Sequence, residues 1–219
     1  MVTLYDNEVK ITLNKLALTG TLFIPYKVNG IIIFCLGRGS SRFSKLTKEM
    51  ANYFHENNFG TLIFDLLTIE EDKEPINRFD IGLLTERLIG ATRWLQSFQA
   101  AEDCRLSYFS VDTGAAAAMN ASNQIPEIEA LVILGGRPDL ASKIESQNLK
   151  APTLMVVGSL DKNNVELNKQ TFELLNCEKE LKIIEDEGKL FEDNGKLELI
   201  KEMCNNWFSK YLVDVHTSS

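Results

Sequence analysis

Between Leu106 and Ala121 an apolar run, a turn of small residues and an alanine-rich stretch follow one another, and this order constrains the fold more than any other part of the chain. Leu106 to Ser110 reads as a buried strand and Thr113 to Ala121 as a helix, with almost no residues between them. A strand that turns sharply into a helix continues as a crossover to a parallel neighbour, which points to a layered α/β sheet. The turn also holds one side chain, the carboxylate of Asp112, up at the carboxyl end of the strand. That is the end at which open parallel sheets bind their ligands.

The rest of the chain repeats the alternation. Val9 to Asn14 and Leu16 to Ile24, around Asn14-Lys15, predict an antiparallel hairpin that Pro25 ends. Ile31 to Cys35 is continuously apolar, as a central strand buried on both faces must be. Lys45 to Glu56 is amphipathic and helical, Thr61 to Asp65 is the next strand, and a polar loop follows through Pro75. In Ile81 to Gln99 the apolar spacing of Leu84, Leu88, Ala91 and Leu95 is that of a helix. Further strands are expected at 128–134, 153–157 and 181–185, and helices at 138–145, 165–175 and 195–212. The expectation is one domain over residues 1–219, with 213–219 as a frayed tail. It is of the α/β class, with a mostly parallel sheet of about eight strands and helices on both faces. The loops at 36–43, 65–79, 110–114, 135–139, 158–165 and 186–192 should then line one pocket.

Composition narrows the partners. The net charge of −8 argues against nucleic acid or an anionic membrane surface, and no run approaches the ~20 apolar residues of a membrane span. Cys35, Cys104, Cys177 and Cys204 are widely spaced, which suits neither a metal site nor a disulfide framework. With no export signal at Met1 to Asp6, four scattered thiols fit a reducing, cytoplasmic setting. No metal or cofactor is expected. A small-molecule ligand, a protein partner or a second copy of the chain remain as binding partners. Trp94 and Trp207 fall at core spacing on helices, and Cys35 closes a buried strand, so all three read as packing.

Several segments together carry a family resemblance: Gly37-Arg38-Gly39-Ser40-Ser41-Arg42, Phe64-Asp65-Leu66-Leu67-Thr68, Arg78-Phe79-Asp80-Ile81, Gly135-Gly136-Arg137-Pro138-Asp139-Leu140, Ala151-Pro152-Thr153-Leu154 and Leu190-Phe191-Glu192. On these, over nearly its whole length, the chain resembles the dienelactone-hydrolase-like branch of the α/β-hydrolase superfamily. The resemblance implies the α/β-hydrolase fold and reads Ser110-Val111-Asp112-Thr113-Gly114 as the nucleophile elbow, Gly-x-Ser-x-Gly. It also implies a Ser–Asp–His triad in chain order. The serine position falls on Asp112, the acid position on Asp161, and the histidine position on Lys189. The histidine expected before the oxyanion-loop glycine falls on Leu36. The chain's two histidines do not stand in for it: His55 is placed on the polar side of a helix and His216 in the tail.

Without a hydroxyl and an imidazole the site has neither acyl nucleophile nor base. Loss of triad members costs about 10⁴–10⁶ in kcat, so ordinary serine-esterase chemistry is not expected. Lys189 is expected between Asp112 and Asp161. An ammonium flanked by carboxylates stays charged and is a poor base. The favoured reading is a charge-compensated site without hydrolysis, in a protein that binds a small molecule or a partner. The alternatives are acid–base chemistry by Asp112 and Lys189 on a small carbonyl or carboxylate compound (isomerase, lyase or cyclase type), or a hydrolase with Asp112 as nucleophile. Leu36, Gly37, Arg38, Arg42, Thr113 and Arg137 are the expected ligand-binding residues, arginine being suited to carboxylate or phosphate. The competing account pairs the arginines, Arg78 included, with Asp65, Asp80 and Asp139.

Overall fold

A hairpin opens the chain. In a computed structural model that describes residues 2–13, 16–37, 41–189, 191 and 193–213, β1 (Thr3–Leu13) pairs antiparallel with β2 (Leu16–Pro25), which pairs antiparallel with a later strand. Asn14 and Lys15, at the expected hairpin turn, lie outside the described residues. There follow β3 (Ile31–Leu36), α1 (Lys45–Glu56), β4 (Gly60–Asp65), α2 (Ile69–Asp72), a 3-10 turn at Pro75–Phe79 and α3 (Ile81–Gln96). Next come β5 (Leu106–Val111), α4 (Gly114–Gln124), β6 (Ile128–Leu134), a 3-10 turn at Pro138–Leu140 and α5 (Lys143–Asn148). β7 (Thr153–Gly158), α6 (Lys162–Leu174), β8 (Lys179–Ile184) and α7 (Asn194–Leu212) complete the order. The eight strands form one sheet, β1-β2-β4-β3-β5-β6-β7-β8, parallel from β4 to β8.

The strand period of two explains the two cores. In β3, Ile31, Ile33 and Cys35 pack with α3 and α4, while Ile32, Phe34 and Leu36 pack with α1 and α7. On the α1/α7 side four phenylalanines interlock: Phe34, Phe54, Phe109 and Phe208, with ring centroids 4.9–6.1 Å apart. On the other side Ala115 to Ala118 are all fully buried. Their small side chains let α4 lie close beneath the sheet, where a Cβ on Gly136 would collide with Ala115 and Ile133.

Four expectations need correction. Residues 65–79 are not all loop, because Thr68 caps α2 with a reciprocal capping box, accepting from the Glu71 N–H while the Glu71 carboxylate accepts from the Thr68 N–H. The 138–145 helix is a 3-10 turn followed by α5, whose N-cap is Ser142. The helix after β7 starts at Lys162 because the Asp161 side chain caps it. His55 is only partly exposed. Its ring stacks on Phe23 at 3.7 Å and its Nε2 lies 2.8 Å from Thr61 Oγ1, since α1 lies over β2 and β4.

Candidate functional site

β5 runs into α4 through Asp112 and Thr113. To make this turn Asp112 adopts φ +51°, a left-handed conformation uncommon outside glycine and more accessible to Asp and Asn than to bulkier residues. The strained residue is held by its carbonyl, which accepts from the N–H of Ala115 (3.1 Å) and of Arg137 (2.9 Å). The β3–α1 loop comes close from the other side. A Cβ on Gly37 would strike the Thr113 and Gly114 nitrogens, and one on Gly114 would strike the Cys35 carbonyl. Glycine at 37 and 114 is therefore a requirement of the approach.

The side chain of Asp112 is buried, and its Oδ2 lies 2.6 Å from Lys189 Nζ. The lysine is about half exposed, at 48% of its side-chain surface. It stands after β8, on a segment tied to the β7–α6 loop. The Glu187 carbonyl accepts from the Leu160 N–H (3.0 Å), and Ser159 Oγ accepts from the Asp186 N–H (2.9 Å). Asp186 and Phe191 both have positive φ, which marks how sharply this segment bends. Phe191 is buried against Gly135 and anchors it.

Asp161 is the point at which the expected triplet differs. Among the described residues no ion pair within 4.0 Å joins it to Lys189; its Oδ1 instead accepts from the Asn164 N–H (3.3 Å) at the start of α6. That helix end already offers the carboxylate unpaired N–H groups and a favourable dipole. The second positive charge near both acids is Arg137. Its guanidinium is bidentate to Asp139 at 2.8 Å on each arm. Its affinity for its proton is raised, first by that hydrogen bond and then by the charges of Asp139, Asp112 and Asp161.

Two residues not singled out from the sequence hold this arrangement. Asn164 Nδ2 donates to the Gly135 carbonyl (3.2 Å), and Asn168 Nδ2 to the Gly136 carbonyl (3.1 Å). Both asparagines are buried, and Asn168 also bonds back to Asn164. Amides four residues apart on a helix share a face; that spacing, next to the acid position, was the available signal. Glu187, buried beside the same loop, accepts from the Gly188 N–H through Oε1 (2.9 Å).

The arginines are largely committed. Arg42 Nε lies 3.6 Å from Asp65 and its Nη1 3.5 Å from Glu8. Arg78 pairs with Asp72 at 2.7 Å, not with Asp80, whose carboxylate caps α3 at the Leu83 N–H. Arg38 lies outside the described residues, as does His216. Cys35 is fully buried, and burial pushes its thiol well above its ordinary range, so it offers no thiolate nucleophile.

Beside the elbow lies a cavity of about 340 Å³. Leu36, Gly37 and Thr113 form its elbow wall, with Ser41 beside them. Leu66, Leu67 and Leu84 form its apolar side, and Thr68, Ile69, Asp72 and Arg78 of the strap that follows β4 form its rim. The expected pocket drew on six loops. The cavity uses only the first half of them, because Arg137 is folded onto Asp139, α6 closes over Gly135 and Gly136, and Lys189 covers Asp112. Among the described residues there is no cluster of three or more His, Cys, Asp or Glu placed to hold a metal ion, and no helix is long and apolar enough to cross a membrane.

No family model matches the chain. Among solved structures, a dienelactone hydrolase from Anabaena variabilis matches with a TM-score of 0.90 at 38% identity, over 95% of this chain and 98% of that one. An esterase from Pyrococcus furiosus matches with a TM-score of 0.76 at 16% identity, over 95% and 93% of the two chains, a likeness of fold alone. A protein of Mycobacterium tuberculosis named "Putative phosphoribosyl transferase" is 37% identical over 210 residues, 95% of this chain. The match covers 47% of that protein, so the chain spans about half the length of the curated relatives it matches.

Proposed function

The chain belongs to the dienelactone-hydrolase family and has the α/β-hydrolase fold; from that premise we propose that it is a member that no longer hydrolyses esters and instead binds a small molecule or a partner protein. The observation that carries this reading is the 2.6 Å contact between Lys189 Nζ and Asp112 Oδ2 at the elbow. Acyl transfer needs a group there that attacks a carbonyl and a base that takes its proton. An aspartate held by an ammonium supplies neither. The carboxylate is neutralised and masked, and the ammonium has no lone pair to offer. The elbow stays folded without chemistry to perform.

Acid–base chemistry is the second reading, and one feature favours it. Lys189 keeps about half of its side chain in solvent, so its ammonium can give a proton to a bound carbonyl compound while Asp112 stands ready to accept one. The mycobacterial relatives favour a protein partner. This chain matches about half of their length. Those relatives carry a phosphoribosyl transferase name and this chain matches only part of them, so a phosphoribosyl transferase is the protein partner this reading selects.

One comparison separates these readings. Wild type, Asp112→Asn and Lys189→Ala are assayed against ester, lactone, epoxide and haloalkane substrates, with intact-mass analysis of the protein. The expected result is no turnover and no adduct in any of the three. Turnover in wild type that both substitutions abolish, without an adduct, would replace the leading reading with acid–base catalysis. A covalent mass on Asp112 would replace it with the aspartyl route.

A further inference from the structure

The sheet ends on β1, which has β2 on one side and, among the described residues, no strand on the other. In such an edge strand every second N–H and C=O points outward and can pair with another chain. β1 runs for 11 residues, and its pairing with β2 is regular from Tyr5 to Leu13. The opposite edge offers less. β8 is 6 residues long, and its Glu180 and Lys182 are already paired with each other at 3.0 Å. In β1 the Glu8 side chain is 69% exposed, and its one ion pair among the described residues is the 3.5 Å approach to Arg42. Lys10 is exposed as well.

Backbone bonds are alike in every register, so side chains must select the partner and its alignment. The two faces of β1 differ. Tyr5, Val9, Ile11 and Leu13 pack into the core that α3 and α4 cover, while Asp6, Glu8, Lys10 and Thr12 are exposed on the other face. A second β1 laid antiparallel must set core face beside core face, so the two-fold axis passes through a residue and each residue meets one of the same face. An axis through Asn7 puts Asp6 against the second copy's Glu8. One through Glu8 lets Asp6 meet Lys10 but puts glutamate directly on glutamate, and one through Lys10 puts lysine on lysine. An axis through Val9 has no such conflict. Glu8 meets the second copy's Lys10 and Lys10 its Glu8, Asp6 meets Thr12, and Tyr5 meets Leu13. Val9 meets Val9 on the core face, and the register uses the whole regular span of the strand. Opposite charges facing each other across strands stabilise a pair, and like charges oppose it.

We propose that the chain forms a two-fold dimer in which β1 of each copy pairs antiparallel with β1 of the other about Val9, joining two sheets into one. Two Glu8–Lys10 pairs across the axis set the register. The partner is a second copy of this chain, and the inference stands apart from the chemistry of the elbow.

The test is sedimentation of the full chain over about 1–500 μM, where the mass is expected to pass from one chain to two. Glu8→Lys and Lys10→Glu, both at exposed positions and checked for folding by circular dichroism, should each weaken the dimer about tenfold or more. Mixing the two single variants should restore it, because each then meets its opposite charge. The double variant Glu8→Lys with Lys10→Glu should restore it too. That last result belongs to the Val9 register alone, since an axis through Glu8 would set two lysines together in the double variant. In the wild type, amide hydrogen exchange in β1 should slow as protein concentration rises. A chain that stays monomeric throughout, single reversals without effect, a double variant as weak as the singles, or a dimer whose exchange slows at β8 and not at β1 would each overturn the proposal.

Discussion

Asp112 is buried, carries a charge, and sits on a strained backbone, so its neighbour Lys189 should matter to folding more than a surface lysine does. Removing one partner of a fully buried pair costs about 3–5 kcal/mol. Lys189 is half in water, and exposed pairs contribute at most about 1 kcal/mol, so Lys189→Ala is expected to destabilise by about 1–3 kcal/mol in urea unfolding. Asp112→Asn keeps the shape and the left-handed tolerance while discharging the carboxylate, and is expected to cost less than Lys189→Ala. The reverse order would refute the ion pair as the reason for the lysine. His55 gives a separate prediction. Burial against Phe23, only partly opposed by Asp6, lowers its pKa to about 4, against about 6.5 in an unfolded chain. Between these values the unfolded chain binds the proton that the folded one refuses, so stability falls as pH drops from about 6.5 to 4 and is fully present above 6.5. The loss should reach about 2–3 kcal/mol after allowance for partial exposure. His55→Phe, which keeps the stack, should flatten that part of a pH–stability curve; an unchanged slope would place the titration elsewhere.

Among the elements, α6 does the most to hold the site together. Asn164 and Asn168 bind the Gly135 and Gly136 carbonyls, and the next residue, Arg137, binds the Asp112 carbonyl through its N–H. Helix, loop and elbow are one hydrogen-bonded unit. Asn168→Ala removes an amide whose two N–H groups reach three acceptors and leaves a buried carbonyl unpaired, for an expected loss of about 2–4 kcal/mol and a sharper loss of near-ultraviolet than far-ultraviolet circular dichroism. A cost below 0.5 kcal/mol would mean that the clamp is ornamental. Elements with a long apolar period or a continuous apolar run were legible without coordinates: α1 at Lys45–Glu56 and β6 at Ile128–Leu134 fall where their residues predict them. The strap after Asp65 was not. A helix of four residues has no period to read, and α2 depends on the Thr68–Glu71 capping box and on the ion pair that Arg87 of α3 makes with Glu71. Its local sign, Thr-x-x-Glu, was present in the sequence. Asp161 shows the opposite difficulty: one residue type serves both as a helix cap and as a triad acid, and only the position of α6 tells which bond it makes here.

At the scale of the whole molecule, the mostly parallel sheet of about eight strands, the crossover helices and the elbow were legible because burial on two faces leaves continuous apolar strands and because a tight strand-to-helix turn demands small residues. The direction of the cavity was not, since it depends on which arginine folds onto which aspartate. The same frame poses a direct question: whether the site differs from a hydrolase by two residues or by more. The β7–α6 and β8–α7 loops are tied by the Leu160–Glu187 and Asp186–Ser159 hydrogen bonds, so Asp161 and residue 189 are carried on a common support. Gly37 still meets the Thr113 and Gly114 nitrogens, the approach that an oxyanion-binding loop needs. Asp112→Ser with Lys189→His removes both charges of the pair together, so no carboxylate is left buried alone, and the double substitution is expected to fold with stability within about 1–2 kcal/mol of the parent. Aspartate at 161 would then have an imidazole to orient in place of an ammonium that it does not contact. The expected outcome is slow hydrolysis of p-nitrophenyl acetate, above that of the parent chain, rising with pH through about 6.5 as the imidazole loses its proton, and lost again on adding Asp161→Asn. A folded double variant with no hydrolysis above the parent would show that the divergence extends beyond positions 112 and 189 into the cavity wall itself, where Leu36 stands in the position that the family resemblance gives to histidine.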